Sequence, residues 1–583
     1  MTRILTDPDT FVARSLDGFV RAHADEVAAV DGGVVRAAPL APGTVAVLIG
    51  GGSGHYPAFA GYVGAGMAAG AICGNIFTSP STAQALRVAH AAEAGGGVLF
   101  TYGNYAGDVI HFGEAARRLR AEGIDARTVL ITDDIASAPR DAVQERRGIA
   151  GIVSVFHLAG AAAERGDDLD EVERIARLAN DRTFTHGVAF AGCTMPGAEH
   201  PLFEVPPGMM SIGLGIHGEP GVRDVPMQSA PDLARTLIGP LLEERPGDAS
   251  RVVVLVNGLG AVAYEELYLL YAEVEDVLHD EGVPIADAVV GDLVTSLDMA
   301  GVSLTFLWLD DELEELWRSP ASAPAFRRGS AAPSTEGPGS RDRTRPRRAP
   351  STGDVAQVDA AVVVLPASRD AARTARRALE TARQVIAVHA GELGELDAIA
   401  GDGDHGVGML RGLTAAVSAA GRLPDDSSLS AVLTAAGDDW AEVAGGTSGA
   451  LWGAALASFG ESLDADADYS LTGVARAVTR SRERIVELGG ANPGDKTMID
   501  ALIPFEAALA AAGSSGSSGS SLGAALAVAA RAAAEAAAAT ADLTPRRGRA
   551  RPLAERSMGH PDPGATSFSI IVDALARRSE TKG

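Results

Sequence analysis

Asp397, Asp402 and Asp404 lie within eight residues of one another, in Asp397-Ala-Ile-Ala-Gly-Asp402-Gly-Asp404-His405-Gly, a stretch with no lysine or arginine. Carboxylates packed that closely repel one another unless a cation sits among them. A hard divalent ion such as Mg²⁺ takes oxygen ligands and shares its shell with substrate phosphates. Gly406 and Gly408 free the backbone to approach a phosphate, so the stretch predicts metal-phosphate chemistry, with an acidic surface turn as the competing reading. A second candidate is Gly50-Gly-Gly52-Ser53-Gly54-His55-Tyr56-Pro57, which follows the apolar run 44–49. Open α/β sheets bind ligands at glycine loops on the carboxyl ends of their strands. This loop has neither the Gly-Lys-Ser/Thr of a Walker loop nor a dinucleotide fingerprint, which leaves a phosphate nest and a tight turn both open. His217, in Ile216-His217-Gly-Glu219-Pro-Gly, ends a strand-like run and is followed by glycine, which exposes it. Asp108 falls at a predicted helix start, where an N-cap role and a place facing a cleft are compatible.

The elements that must position these residues come in two kinds. Strands are predicted at 44–49, 97–102, 127–132, 211–216, 251–257 and 302–309, with a helix at 109–122 and a long helical stretch at 149–181. Strands alternating with helices make residues 1–326 an α/β domain of two lobes. Residues 327–353 lack large aliphatics and are rich in Arg, Pro, Gly and Ser. Such a segment cannot bury a core, and 327–366 is expected to be a linker, its 27 most polar residues spanning roughly 30 Å as a flexible chain. Over 367–583 the pattern is helical, at 368–390, 407–420, 429–443, 447–461, 471–488, 497–512 and 522–540, predicting an all-α domain. Ser514 to Ser521 reads as a low-complexity loop, and 567–572 as a strand or the start of a last helix.

Composition narrows the partners. A net charge of −27 over 583 residues argues against nucleic acid or an anionic membrane, either of which favours a basic face. Two cysteines, Cys73 and Cys193, exclude a disulfide framework and fit a reducing cytoplasm. Neither a signal peptide nor a membrane span is expected. Of 49 basic residues only Lys496 and Lys582 are lysine, so Lys496, in Gly494-Asp-Lys-Thr497, suggests that a compact point charge is wanted there.

Taken together, these motifs resemble the dihydroxyacetone kinase family over nearly the whole chain except the linker. Gly-Gly-Gly-Ser-Gly-His55 with Pro57, Phe77-Thr-Ser-Pro80, Asn104-Tyr-x-Gly-Asp108 and Gly215-Ile-His217-Gly-Glu-Pro-Gly are similar to its ketose-binding K domain. Asp397-x4-Asp402-Gly-Asp404-His405-Gly, Gly445-Gly-Thr-Ser448-Gly, Pro493-Gly-Asp-Lys496-Thr-Met498 and Gly559-His-x-Asp562-Pro563-Gly564 are similar to its nucleotide-binding L domain, a helical barrel or bundle.

The resemblance implies an ATP-dependent kinase in which His217 holds the substrate ketone as a hemiaminal. Gly52, Ser53, Gly54, His55, Tyr56, Gly103 and Asp108 would contact the ketose, with Asp108 and His55 as base and acid at the phosphorylated hydroxyl. Asp397, Asp402 and Asp404 would carry two Mg²⁺ ions. His405, Gly406, Val407, Gly408, Thr447, Ser448, Gly489, Met498, Arg549, Asp562, Pro563 and Gly564 match nucleotide-contacting positions. A homodimer paired through K-domain sheet edges is also implied. Three positions depart from the family pattern: Tyr56 where glutamate is expected, Gly103 where lysine is expected, and Val407-Gly408 where Thr-Asn is common. Losing the lysine would open space for a longer ketose, as in the erythrulose kinases of the family. Alternatives are dihydroxyacetone kinase proper, a Mn²⁺-dependent FAD-cyclising activity, and a non-enzymatic binding protein.

Overall fold

A computed structural model describes Ile4 and residues 7–219, 221–329, 364–401, 403–444, 446–514, 522–547 and 554–580. The chain divides into two units, residues 1–355 and 356–583, the division falling inside the predicted linker. Most of that linker, residues 330–363, and residues 515–521 of the predicted low-complexity loop lie outside the described residues.

The first unit has two six-stranded sheets, as the two-lobed expectation required. One contains β1 (Val27–Val30), β2 (Gly33–Arg36), β3 (Ala46–Ser53), β4 (Gly70–Ile76), β5 (Val98–Gly103) and β6 (Ala126–Ile131), in spatial order β1-β2-β4-β3-β5-β6. β3 pairs in parallel with both β4 and β5, so the chain leaves β3 to one side and later returns to the other. Ligand crevices open at the carboxyl ends of strands at such a reversal. The second sheet contains β7 (Thr183–Ala191), β8 (Met209–Ile212), β9 (Arg223–Pro226), β10 (Arg251–Gly258), β11 (Ile285–Gly291) and β12 (Ala300–Leu309), in order β11-β10-β12-β7-β8-β9.

Side-chain alternation sorts the strands between layers. Phe100 and Tyr102 of β5 join the cluster that includes helices α2 (Thr82–Ala92) and α3 (Ala106–Ala121), whereas Leu99 faces the central core. That core surrounds α4 (Ile152–Arg165), every residue of which from Ile152 to Ala163 is buried, as expected for a helix apolar on all sides. The outer face of the second sheet packs on α6 (Ala230–Glu243) and α7 (Tyr264–Asp280). The predicted helix 149–181 is two helices. Gly166 ends α4 in the left-handed conformation at φ +95°, and Asp168 then caps α5 (Leu169–Asp181) by accepting from Glu171 N. Two small strands, Ala321–Ala323 and Phe326–Arg328, complete the unit, so its regular structure runs slightly past residue 326.

The second unit is helical among its described residues: α9 (Pro366–Asp397), α10 (His405–Arg422), α11 (Leu429–Ala444), α12 (Gly446–Asp466), α13 (Leu471–Gly489), α14 (Ile499–Ser514), α15 (Leu522–Ala539), the short α16 (Ala554–Ser557) and α17 (Pro563–Glu580). Residues 567–572 are therefore helix. Successive long helices pack side by side, and α17 returns to α9, closing an eight-helix up-and-down barrel. Residues 522–542 are long and apolar enough to cross a membrane by composition. Ala525, Ala529, Ala530, Ala533 and Ala537 on this stretch are buried in the cluster shared with α14 and α17, so it forms one stave of the barrel.

Candidate active site

In the first unit the crevice is built by three loops. The first leaves β3 through Gly50 to Gly52. A side chain at Gly50 would strike the Ile72 carbonyl and Phe112, and one at Gly52 would strike the backbone at Phe77 and Thr78. The glycines are thus required by close packing against β4 and the residues after it. His55, buried, follows. The second loop joins β8 to β9 and carries His217, whose side chain is 22% exposed. The predicted strand at 211–216 stops at Ile212, which leaves His217 on the hairpin. The third loop, 292–299, joins β11 to β12 and bridges the other two. Its Thr295 carbonyl accepts from His55 Nδ1 at 2.7 Å, Thr295 N and Leu297 N donate to the carbonyls of His55 and Gly54, and Ser296 Oγ donates to the Ile216 carbonyl at 2.5 Å. Asn257 anchors it from β10, donating to the Val294 carbonyl and Ser303 Oγ and accepting from Leu293 N and Val294 N.

His55 and His217 meet at 2.9 Å, Nε2 to Nε2. His217 Nδ1 faces Glu219 Oε1 at 3.2 Å. Phe77 stacks on His55 with ring centroids 5.0 Å apart, and Tyr105 stands edge-on to His217 at 4.7 Å. Phe77 holds a positive φ of 52°, a conformation that costs a non-glycine residue about 1–3 kcal/mol and is found at functional sites. Burial, and then the charge of His217, pushes His55 down to about 3, so it is neutral near pH 7. Asp108 lies in the first turn of α3 but does not cap it; Tyr105 occupies the N-cap. Its Oδ1 is buried with no hydrogen-bond partner. Burial pushes its carboxyl up to about 7, against a hydrogen bond from Ser79 and the charge of His217. A half-neutral buried carboxylate with a free oxygen is suited to taking a proton from a hydroxyl.

Gly52, Gly103, Tyr105, Asp108, Gly148, His55 and His217 line the cleft between these loops, which holds about 20 Å³ of free space. That is room for one water, less than a ketose would fill. Three expectations change. Tyr56 is 53% exposed, with its ring edge-on to Phe19, and does not line the cleft. Ser53 Oγ is committed to the Gly74 carbonyl at 2.7 Å. Gly103 does line the cleft, but the room its missing side chain leaves is not open. A Cβ there would lie 3.0 Å from the Gly148 carbonyl oxygen and 3.1 Å from the Tyr105 ring. Sequence reasoning missed Tyr105, Glu219, Thr295 and Asn257 as functional residues. Tyr105 and Glu219 lie inside motifs already singled out, and Asn257, a polar residue ending an apolar strand before a glycine, also carried a local signal, whereas Thr295 carried none.

In the second unit the up-and-down order places the N-termini of α10, α12, α14 and α17 at one rim. The connections α9–α10, α11–α12, α13–α14 and α15–α17 supply every predicted nucleotide and metal residue. Helix N-termini present unpaired N–H groups and a positive dipole end, which suits phosphates. His405 and Gly406 open α10, followed by the exposed Val407 and by Gly408. Thr447 and Ser448 lie exposed in the first turn of α12, Gly489 ends α13, and Met498, buried, precedes α14. Asp562 Oδ1 accepts from Ala565 N at 2.7 Å at the start of α17, beside Pro563 and Gly564. Burial holds the Asp562 carboxyl above its ordinary range; Asp500 adds to this and Lys496 opposes it. His405 Nε2 meets Ser567 Oγ at 3.0 Å, joining α10 to α17. Lys496 is buried and donates from Nζ to the Ser557 carbonyl at 2.7 Å, so its charge ties the α13–α14 turn to the segment before α17. Arg549 lies outside the described residues.

Asp397 ends α9, and its Oδ2 accepts from Gly403 N at 3.0 Å. Asp404 precedes α10, and partial burial followed by the charge of Asp397 raises its carboxyl, with Arg411 opposing. Two carboxylates close together at a solvent-facing rim are oxygen donors suited to a hard cation. Asp402, the third predicted ligand, lies outside the described residues, and no cluster of three ligating side chains occurs among those described.

Comparison with known proteins agrees with both halves. Residues 17–325 match the Dak1 domain and residues 399–577 the DAK2 domain; Asp397 stands just ahead of the second match. The chain belongs to the dihydroxyacetone kinase family, with both domains fused in one polypeptide, and is a phosphotransferase. It is 49% identical to an L-erythrulose kinase of Pectobacterium atrosepticum over 99% of this chain and 96% of that one. It is equally 49% identical to a D-erythrulose kinase of Mycolicibacterium smegmatis, over 99% and 98%. The crystal structure of the dihydroxyacetone kinase from C. freundii in complex with AMP-PNP and Mg²⁺ matches with a TM-score of 0.52 at 28% identity, covering 99% of both chains.

Proposed function

We propose that this kinase transfers the γ-phosphoryl group of ATP to a terminal hydroxyl of erythrulose, with the ketone held as a hemiaminal on His217. The observation that carries this reading is the His217, His55 and Asp108 constellation: a nucleophilic imidazole, a neutral partner imidazole, and a buried carboxyl with a free oxygen, all on one small cleft. The choice of a four-carbon ketose rests on the full-length similarity to erythrulose kinases. Matches to relatives named L-erythrulose kinase and D-erythrulose kinase at the same identity leave both enantiomers as substrates to be assayed.

His217 Nδ1 is engaged by Glu219, so the bond to the ketone carbon forms at Nε2. An imidazole adduct demands a carbonyl, which rejects glycerol and other polyols. Asp108 takes the proton of the hydroxyl that attacks the phosphorus, and its elevated titration leaves it part-ionised near neutrality. The N-terminal ends of α10, α12 and α17 hold the phosphates of ATP. Asp397, Asp402 and Asp404 would hold two Mg²⁺ ions, which neutralise charge on the transferred group when bound.

The test is kcat/KM for D-erythrulose, L-erythrulose, dihydroxyacetone and glycerol with ATP and Mg²⁺, repeated with His217→Ala. The expected result is a preference for an erythrulose, no turnover of glycerol, and loss of ketose discrimination in the variant. A tenfold or greater preference for dihydroxyacetone overturns the substrate assignment.

A further inference from the structure

The two histidines of the cleft each have one nitrogen facing an atom that can only accept. His55 Nδ1 meets the Thr295 carbonyl at 2.7 Å, and His217 Nδ1 meets the Glu219 carboxylate at 3.2 Å. Both Nδ1 atoms therefore carry hydrogen. If both rings were neutral, two bare lone pairs would face each other across the 2.9 Å between the Nε2 atoms. That contact is attractive only with a hydrogen in it. The pair thus holds one proton more than two neutral imidazoles, and the nearest opposite charge is Glu219.

Glu219 is itself held in place. Its Oε2 accepts from His217 N at 3.0 Å and lies 3.6 Å from Arg147 Nη1. Arg147 in turn grips Asp134 through Nε at 3.0 Å and Nη2 at 2.8 Å. Gly215 is glycine for the same reason: a Cβ there would collide with the Glu219 carboxylate and the Arg147 guanidinium. The loop is shaped around this ion pair.

We propose that Glu219 is a positioning residue for the kinase reaction: it selects Nε2 of His217 as the attacking nitrogen and retains the bridging proton that the ketone oxygen receives. This rests on the hemiaminal reading above. In one concerted step, the bridging proton is relayed through His55 Nε2 as the ketone carbon is attacked, which frees the lone pair of His217 Nε2 without leaving His55 charged. That pair forms the N–C bond, the carbonyl π pair passes to oxygen, and the oxygen takes the proton from His55. One N–C and one O–H bond form, one C–O π bond and one N–H bond break, and the positive charge remains in the His217 ring opposite Glu219. No new unpaired charge arises in a buried site, where it would be costly. The other charged or titratable groups around the pair and Glu219 are Asp108 and Tyr105 from the α3 side, Asp133, Asp134 and Arg147 from the segment before α4, and Cys193 just after β7. Although burial opposes it, the bond to His217 and the charges of His217 and Arg147 hold Glu219 down to about 2, so it stays ionised throughout the working range.

The experiment is ¹⁵N-histidine NMR of the full chain, together with adduct formation from carbonyl-¹³C-labelled erythrulose across pH 5–9, in wild type, Glu219→Gln and Gly215→Ala. Wild type is expected to show both Nδ1 atoms protonated and one proton between the Nε2 atoms. In Glu219→Gln the adduct at pH 7 should fall at least tenfold, and the pH at which the bridging proton is lost should drop by one unit or more. Gly215→Ala, with Glu219 intact but displaced, should shift both readouts in the same direction. An adduct indifferent to Glu219→Gln overturns this proposal alone, and so does a wild-type spectrum of two neutral rings, a measurement that stands even if a variant misfolds. A wild-type protein that phosphorylates ketoses without any adduct overturns the hemiaminal reading with it.

Discussion

Asp108 should make the folded protein less stable in proportion to its ionisation, and Asp108→Asn should remove that burden. In an unfolded chain this carboxyl titrates near 3.9; in the folded protein burial pushes it to about 7. Because the folded value is the higher one, the unfolded chain gives up its proton first as pH rises. The destabilisation is absent below pH 4, grows between about pH 4 and pH 7, and is complete above. Roughly three pH units at 1.36 kcal/mol each put the full effect at about 4 kcal/mol. Asparagine keeps the size of the side chain and can still accept from Ser79, so it relieves the charge without opening a cavity. The variant should gain on the order of 3–4 kcal/mol at pH 8 but only about 1–2 kcal/mol at pH 5, while kcat falls at least ~100-fold through loss of the base. Hydrogen exchange on peptides covering Val98–Gly103 and Ala106–Ala121 reads the first unit separately from the helical one. A gain that is the same at both pH values, or no gain at pH 8, would refute the argument that burial sets this carboxyl.

Two further outcomes follow from the same geometry. Asn257→Leu leaves Leu293 N, Val294 N and the Val294 carbonyl without partners, which should cost at least ~3 kcal/mol and raise KM for the ketose as loop 292–299 loosens; unchanged thermal unfolding and unchanged KM would contradict the bridging role given to that loop. Asp404→Asn should lower kcat at least ~100-fold and move the Mg²⁺ requirement to higher concentration while leaving ketose adduct formation intact, and a Mg²⁺ titration matching wild type would remove Asp404 from the metal site.

How much of this was legible in the residues depends on the distance over which each interaction acts. His217 stands out at a strand end before a glycine and Asp108 at a helix start, where an N-cap role was also open, while the role of His55 comes from the family resemblance of its glycine loop. Their tuning could not be read, because it is supplied from far away in the chain: Thr295 reaches His55 across 240 positions, and Arg147 approaches Glu219 from before α4. β4, Gly-Ala-Ile-Cys-Gly-Asn-Ile, escaped notice since its glycines answer to tight backbone contacts, with a Cβ at Gly74 blocked by Thr78 and Pro80, and not to any alternating pattern. The break at Gly166 falls between two stretches that both read as helical, the apolar α4 and the amphipathic α5, so the run looks continuous. The helices of the second unit were plain from their periodicity, while ring closure depends on α17 meeting α9, a contact no local window contains. Tyr56 enters through the family resemblance, at a position where glutamate is expected, yet its ring is exposed and stands edge-on to Phe19.

The alternation of the barrel helices also divides labour between its two ends. Every turn proposed to hold the nucleotide belongs to one end, so the turns α10–α11 and α12–α13 belong to the other. On that proposal the turns α10–α11 and α12–α13 can carry an insertion without disturbing phosphate or metal, whereas a single insertion between Asp397 and His405 would shift Asp397 out of step with the helix that follows it.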